Sequence, residues 1–185
     1  MKIAVAITGA SGAVYARQFI AQLLVCRQVE GIFVVLSGNA DAVAEHELGA
    51  KWSFDDKRIT LFERDDFFNR LASGSAGADA MVIIPCSMGT LGRIAAGVSD
   101  DLITRAADVM LKERRRLVLV PRESPYSLVH LNNMVALTQA GAIILPASPG
   151  FYHRPTTIEE LIKSVTQRIM QLLGIQDEDR YKWKN

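Results

Sequence analysis

Arg122 and Glu123 follow an apolar run, Leu117-Val118-Leu119-Val120, and sit between Pro121 and Pro125. A carboxylate fixed at a strand end beside a guanidinium is a candidate proton carrier; the plainer account is that the two side chains diverge and pair locally. Upstream, Asp101, Arg105, Asp108 and Lys112 recur at i, i+4, i+7 and i+11, one stripe of a helix. In isolation such a stripe is a salt-bridged outer face. Because the same element feeds Arg122, Arg105 and Lys112 are also candidates for clamping an anion, in their own subunit or across an interface. Arg168 falls on or beside an apolar stripe that includes Leu161, Val165, Ile169 and Leu172. A guanidinium there needs an anion or must reach water, because burying it unpaired costs several kcal/mol. Cys86 has no CxxC or metal spacing around it and reads as a buried inert thiol, and the three histidines, His46, His130 and His153, are scattered. Metal is not expected.

The elements that position these groups follow from apolar runs and their breakers. Met81-Val82-Ile83-Ile84 is a buried strand stopped at Pro85, followed by the hydroxyl-rich turn Cys86-Ser87-Met88-Gly89-Thr90-Leu91 and a helix. The first amides of a helix lack internal partners and sit at its positive end, so such a turn suits a phosphate. Ile3 to Ile7 is a first strand, and Thr8-Gly9-Ala10-Ser11-Gly12-Ala13 is a glycine loop opening a helix with Val14, Phe19, Ile20 and Leu23. That is the start of a nucleotide-binding βαβ unit, although the loop is not a full G-x-G-x-x-G. After the second strand, Gly31 to Leu36, Ser37-Gly38-Asn39 stands where a dinucleotide site places an acidic residue for the ribose. A mononucleotide such as FMN is therefore favoured over NAD, with Ser37 either a donor to it or a turn residue capping the next helix.

The helix from Asn39 to Leu48 carries Glu45, His46 and Glu47, for which a solvated face is the plain account. Residues 49–77 lack clean periodicity and read as an excursion with one weak strand and one short helix. A helix from Ser124-Pro125 to about Gln139, a strand Ala142 to Leu145 and a rigid loop through Phe151-Tyr152-His153-Arg154-Pro155 follow. The final helix is capped by Thr156 with Glu159 completing a capping box. The pattern predicts one α/β domain over 1–185: three layers, a doubly wound, mainly parallel sheet, Rossmann-like or flavodoxin-like, with the ligand crevice beyond the strands' carboxyl ends.

Bulk properties narrow the function classes. With 21 Lys+Arg against 20 Asp+Glu the net charge is +1, so nothing global draws the chain to nucleic acid or anionic lipid. No apolar run approaches the roughly 18 residues of a membrane span. A cytoplasmic location is the expectation.

With these motifs assembled, the chain resembles the UbiX family of flavin prenyltransferases, within the homo-oligomeric flavin-containing cysteine decarboxylase folds. The resemblance runs nearly end to end. It rests on Ile7 to Ala13, Cys86 to Leu91, Leu102 to Arg115, Pro121 to Pro125, Asn133-Met134 and Phe151 to Pro155. It implies transfer of a dimethylallyl group from dimethylallyl monophosphate to reduced FMN, without metal. The product, prenyl-FMN, would serve a partner UbiD-type decarboxylase. It places FMN on Gly9, Ala10, Ser11, Ser37, Ser87, Met88, Gly89, Thr90 and Arg122, with many members carrying lysine at the Gly89 position. The resemblance likewise implies that Arg105, Lys112, Tyr152 and Arg168 hold the prenyl phosphate, that Glu123 and Ser11 handle protons with Glu45 as a third, and that Trp183 walls the prenyl group. Kinship further implies trimers assembled into a dodecamer. The competing expectation is an FMN-dependent peptidyl- or pantothenoyl-cysteine decarboxylase, although the Pro-Ala-Ser-Ala-Asn segment typical of those relatives is missing here.

Overall fold

The computed structural model describes residues 1–75 and 77–175. Strands and helices alternate: β1 (Lys2–Ile7), α1 (Ala13–Val25), β2 (Gly31–Leu36), α2 (Ala40–Leu48), β3 (Ile59–Phe62), β4 (Ala80–Cys86), α3 (Met88–Ala95), α4 (Leu102–Lys112), β5 (Arg116–Pro121), α5 (Leu128–Ala140), β6 (Ile143–Ile144) and α6 (Ile158–Leu172). The strands pair in the order β3-β2-β1-β4-β5-β6, every pair parallel. From β1 the chain winds outward through β2 and β3, then returns to the other side of β1 and winds outward again. The reversal opens a crevice between the ends of β1 and β4.

Alternation along the strands sorts the core into two layers. Ile3, Val5 and Ile7 of β1 pack with Phe19 and Leu23 of α1 and with Val165 and Ile169 of α6. Ala4 and Ala6 point the other way, into a layer that holds Leu91 of α3, Leu102, Ala106 and Met110 of α4, and Leu137 of α5. β1 and β4 are buried on both faces, which is why they read as continuous apolar runs. Each fully buried Phe19 or Leu23 contributes roughly 1.5–3 kcal/mol.

Several boundaries differ from the sequence reading, for local reasons. β4 passes through Pro85 to Cys86, with a register shift between Ile83 and Cys86 that accommodates a residue lacking an amide donor. α5 starts only at Leu128, where Ser127 caps it by accepting the His130 amide. The cap of α6 is Thr157 rather than Thr156, because Glu160 takes the amides of both threonines. Asp101 leaves the charged stripe of α4: it is the buried N-cap, bonded to Thr104, with Arg93 against it. Arg115, after α4, donates to the carbonyls of Gly74 and Ala78, and Arg116, at the start of β5, to that of Leu173. The excursion does hold one edge strand, β3, and one 3-10 turn, Arg70–Ala72.

Candidate active site

The loops after β1 and β4 are tied together by one buried hydroxyl. Thr8 Oγ1 donates to the Pro85 carbonyl at 2.6 Å and accepts the Ser87 amide at 2.8 Å. Ser87 in turn caps α3, its oxygen accepting the Thr90 amide at 3.3 Å. The Met88 and Gly89 amides that follow have no acceptor within the helix. A Cβ built on Gly89 meets nothing within 4 Å, so space stands open beside these amides. On the other side of the crevice, Gly9 must be glycine: a Cβ there would lie 2.6 Å from Asn39 Cβ. That contact lets the loop lie against the start of α2. Gly12 holds φ +114°, a conformation that side chains oppose. Ser37 bridges the same corner through its backbone, donating to Ile7 and accepting from Ala40.

The α1 N-terminus is capped from a distance. Gly12, its cap residue, offers no side chain, and Glu47 of α2 accepts the Gly12 amide at 2.9 and 3.1 Å and the Ala13 amide at 2.8 Å. Partial burial works against ionising Glu47, but the Ser11 hydroxyl, the two amides and the nearby Arg122 outweigh it. Its carboxyl is held below the usual glutamate value. Glu45, the carboxylate expected at the site, lies exposed on α2, and the group that reaches the loop is Glu47. Glu47 lies two residues beyond Glu45, and an i+2 step turns its side chain to another face of the helix.

Arg122 Nε donates to the Ser11 carbonyl at 3.1 Å, which brings the end of β5 to the glycine loop. Glu123 is exposed beside it, with Oε1 accepting the Ser124 amide at 2.9 Å. Arg122 and Glu123 thus do not pair with each other. Cys86 is fully buried, and burial pushes its thiol up to about 12, which keeps it protonated and unreactive.

The four residues expected on the second anion divide into two pairs. Tyr152 and Arg168 line one cavity of about 800 Å³ between α6 and the chain after β6. Arg105 and Lys112 are not in its lining; they stand on α4, which packs on the opposite face of the sheet from α6. Within the chain, Arg105 bonds Asp108 at 2.8 Å and the Ala72 carbonyl at 3.2 Å, Lys112 pairs with Glu113, and Arg168 meets Gln171. Trp183 lies outside the described residues. Among those residues, no cluster of His, Cys, Asp and Glu is suited to a metal ion, and no helix is long and apolar enough to cross a membrane.

Comparison with known proteins gives this geometry a context. A family model described as Flavoprotein matches residues 1–170. A flavin prenyltransferase UbiX of Methanocaldococcus jannaschii is 42% identical over 184 residues, covering 99% of this chain and 98% of its own. Among solved structures, AnUbiX in complex with FMN and dimethylallyl pyrophosphate superposes with a TM-score of 0.88 at 40% identity, over 100% of this chain and 97% of that one. A dodecameric FMN-dependent UbiX-like decarboxylase from Escherichia coli O157:H7 gives 0.89 at 36% identity, with both chains fully covered. The peptidyl-cysteine decarboxylase EpiD, at 13% identity and a TM-score of 0.63, shares the fold alone.

Proposed function

The chain belongs to the Flavoprotein family, among its UbiX-type flavin prenyltransferases, and from that premise we propose that it joins a dimethylallyl group from dimethylallyl monophosphate to reduced FMN. The observation that carries this reading is the coexistence of a nucleotide-type crevice at the β1/β4 switch point and a separate cavity lined by Tyr152 and Arg168. Reduced FMN supplies the electron-rich ring on which the new carbon bonds are made.

The residues present fit that group. Gly9, Ala10, Ser11 and Ser37 line one side of the crevice, and the open α3 end, Ser87, Met88, Gly89 and Thr90, offers amides and hydroxyls to its phosphate and ribityl oxygens on the other. Arg122 braces the first loop through Ser11 and adds positive charge. Loss of phosphate from an allylic carbon places charge on the leaving oxygens, and Tyr152, Arg168, Arg105 and Lys112 stabilise it there. Ser11 and Glu123 carry the protons: one goes to the leaving phosphate and one comes off the ring, and a single carboxylate can do both in turn. Glu47 replaces Glu45 in this set, because it is the carboxylate that holds the Ser11 hydroxyl.

Arg105 and Lys112 stand across the sheet from Arg168, so the second pocket is completed between chains. The chain acts as a homo-oligomer, and a dodecamer like the Escherichia coli relative is the finer reading. α5 supports association: Leu128, Val129, Leu131 and Val135 are 72, 65, 46 and 55% exposed, an apolar face larger than isolated surface residues make. Prenyl-FMN passes to a UbiD-type decarboxylase in the cytoplasm, and residues 1–185 act as one domain. The test is an anaerobic incubation of the protein with reduced FMN and dimethylallyl monophosphate. A flavin heavier by one isoprenyl unit is expected, and unchanged flavin refutes the proposal. Carbon dioxide released from a peptidyl-cysteine substrate would favour the decarboxylase reading instead.

A further inference from the structure

A second cavity, of about 450 Å³, runs along α1 between the end of α2 and the start of β3. None of the residues expected on the flavin or on the prenyl phosphate lines it. One wall is a stripe of α1, where Arg17, Ile20, Ala21 and Leu24 recur at i, i+3, i+4 and i+7. Another is the segment after α2, in which Trp52 and Phe54 stack with ring centroids 5.8 Å apart and planes 9° from parallel. Both rings rest on the core layer that holds Phe19 and Leu23. The segment is pinned at each end: Asp41 of α2 accepts the Trp52 amide at 3.1 Å, and Arg58 donates to Asp56 and to the Leu24 carbonyl of α1. The cavity is thus preformed, and its volume lies in the range of small-molecule sites.

Its lining leaves two needs unmet. The Trp52 indole nitrogen is buried with no hydrogen-bond partner among the described residues, a costly state for a donor. Arg17 and Lys51 form no ion pair among those residues, while Asp56 is already engaged by Arg58. Of the lining carboxylates Asp55 alone remains to oppose the two cations, so the rim is left positive. Stacked rings opposite an aliphatic stripe suit a flat apolar body, and the cations with the indole N–H suit an anionic oxygen. A neutral aromatic leaves the donors unmet, and a bare inorganic anion leaves the apolar walls in water. One or two fused rings bearing a carboxylate satisfy both.

We propose that this cavity binds a small aromatic carboxylate. Its rings lie between the α1 stripe and the Trp52–Phe54 stack, its carboxylate faces Arg17 and Lys51, and the indole turns to donate to one carboxylate oxygen. The site is separate from the flavin chemistry above and does not depend on that reading.

Titration calorimetry on the FMN-loaded oligomer, with 2-naphthoate and its uncharged counterpart 2-naphthamide as probes, tests the site. Wild type binds naphthoate at least about tenfold more tightly than naphthamide, and Arg17→Gln and Lys51→Gln each cut that preference by about threefold. Trp52→Phe, which keeps a ring and removes the N–H, weakens naphthoate by about fivefold. Ala21→Phe fills the cavity from an exposed position of α1 and abolishes binding of both probes. FMN content is the check that each variant folds. Naphthoate binding that survives Trp52→Phe and Ala21→Phe unchanged places the probe elsewhere and overturns the proposal, as does equal affinity for the two probes. Absence of binding to wild type overturns it too, and a change in the oligomer's mass on Ala21→Phe would then assign the cavity to a contact between copies of the chain.

Discussion

Replacing Glu47 with alanine removes the only side chain that caps α1 among the described residues. Gly12 has none to offer, and the Gly12 and Ala13 amides lose a carboxylate they now meet at 2.8–3.1 Å. Loss of an N-cap costs about 1 kcal/mol. A negative charge at a helix N-terminus adds roughly 0.3–1 kcal/mol, and because Glu47 is exposed the lower part of that range applies. The expected total is about 1.5 kcal/mol, or roughly 3–6 °C in Tm for a chain of this size. The pH dependence has a definite sign. The carboxyl is held below its ordinary value, so its contribution is fully present above about pH 4.3 and fades as the pH falls through the lowered folded value. Thermal unfolding of wild type and Glu47→Ala, at matched protein concentration and at pH 7 and pH 3, measures this directly. The gap should be several degrees at pH 7 and should shrink at pH 3, with Glu47→Gln in between at neutral pH because it keeps an acceptor. Equal stabilities at pH 7, or a gap unchanged at pH 3, refute the cap.

The Thr8 hydroxyl links the two loops of the crevice, so Thr8→Val should destabilise the protein by about 1–3 kcal/mol by leaving the Ser87 amide unpaired, while the Pro85 carbonyl keeps the Thr8 amide at 3.3 Å. Denaturant titration reads this, FMN affinity should weaken in the same variant, and a loss under 0.5 kcal/mol would contradict the linking role. Cys86, buried and with its thiol pushed up to about 12, should resist alkylation by iodoacetamide in the native protein while the partly exposed Cys26 is modified. Mass mapping showing Cys86 modified at the rate of Cys26 would count against that burial.

The strands, the glycine loop and the hydroxyl turn after β4 were legible because a parallel sheet buried on both faces writes itself as short apolar runs ended by breakers. The doubly wound, parallel class follows from the alternation of strands and helices, whereas the order of the strands does not. What escaped was long-range or degenerate. Thr156 and Thr157 are each followed by a glutamate three residues later, Glu159 and Glu160, and only the fold decides between them. Glu47 reaches its amides across 34 and 35 residues, a contact that leaves no periodic signal in a helix where Glu45 and His46 look equally solvated. Thr8 has the type of a loop hydroxyl and the burial of a core residue, at 1% exposure. The separation of Arg105 and Lys112 from Arg168 arises from which sheet face each crossover helix covers, and spacing along the chain carries no record of that.

That separation makes one experiment decisive for the shared site. Arg105→Ala and Arg168→Ala, each alone, should lower prenyl transfer about 100-fold or more, the usual cost of deleting a charged donor that stabilises a leaving oxygen. Co-expressed with different tags and purified as mixed oligomers, the two variants should recover a substantial fraction of wild-type turnover, because some sites then draw an intact Arg105 from one chain and an intact Arg168 from its neighbour. Mixed oligomers as inactive as their parents would contradict a donor pocket built between chains.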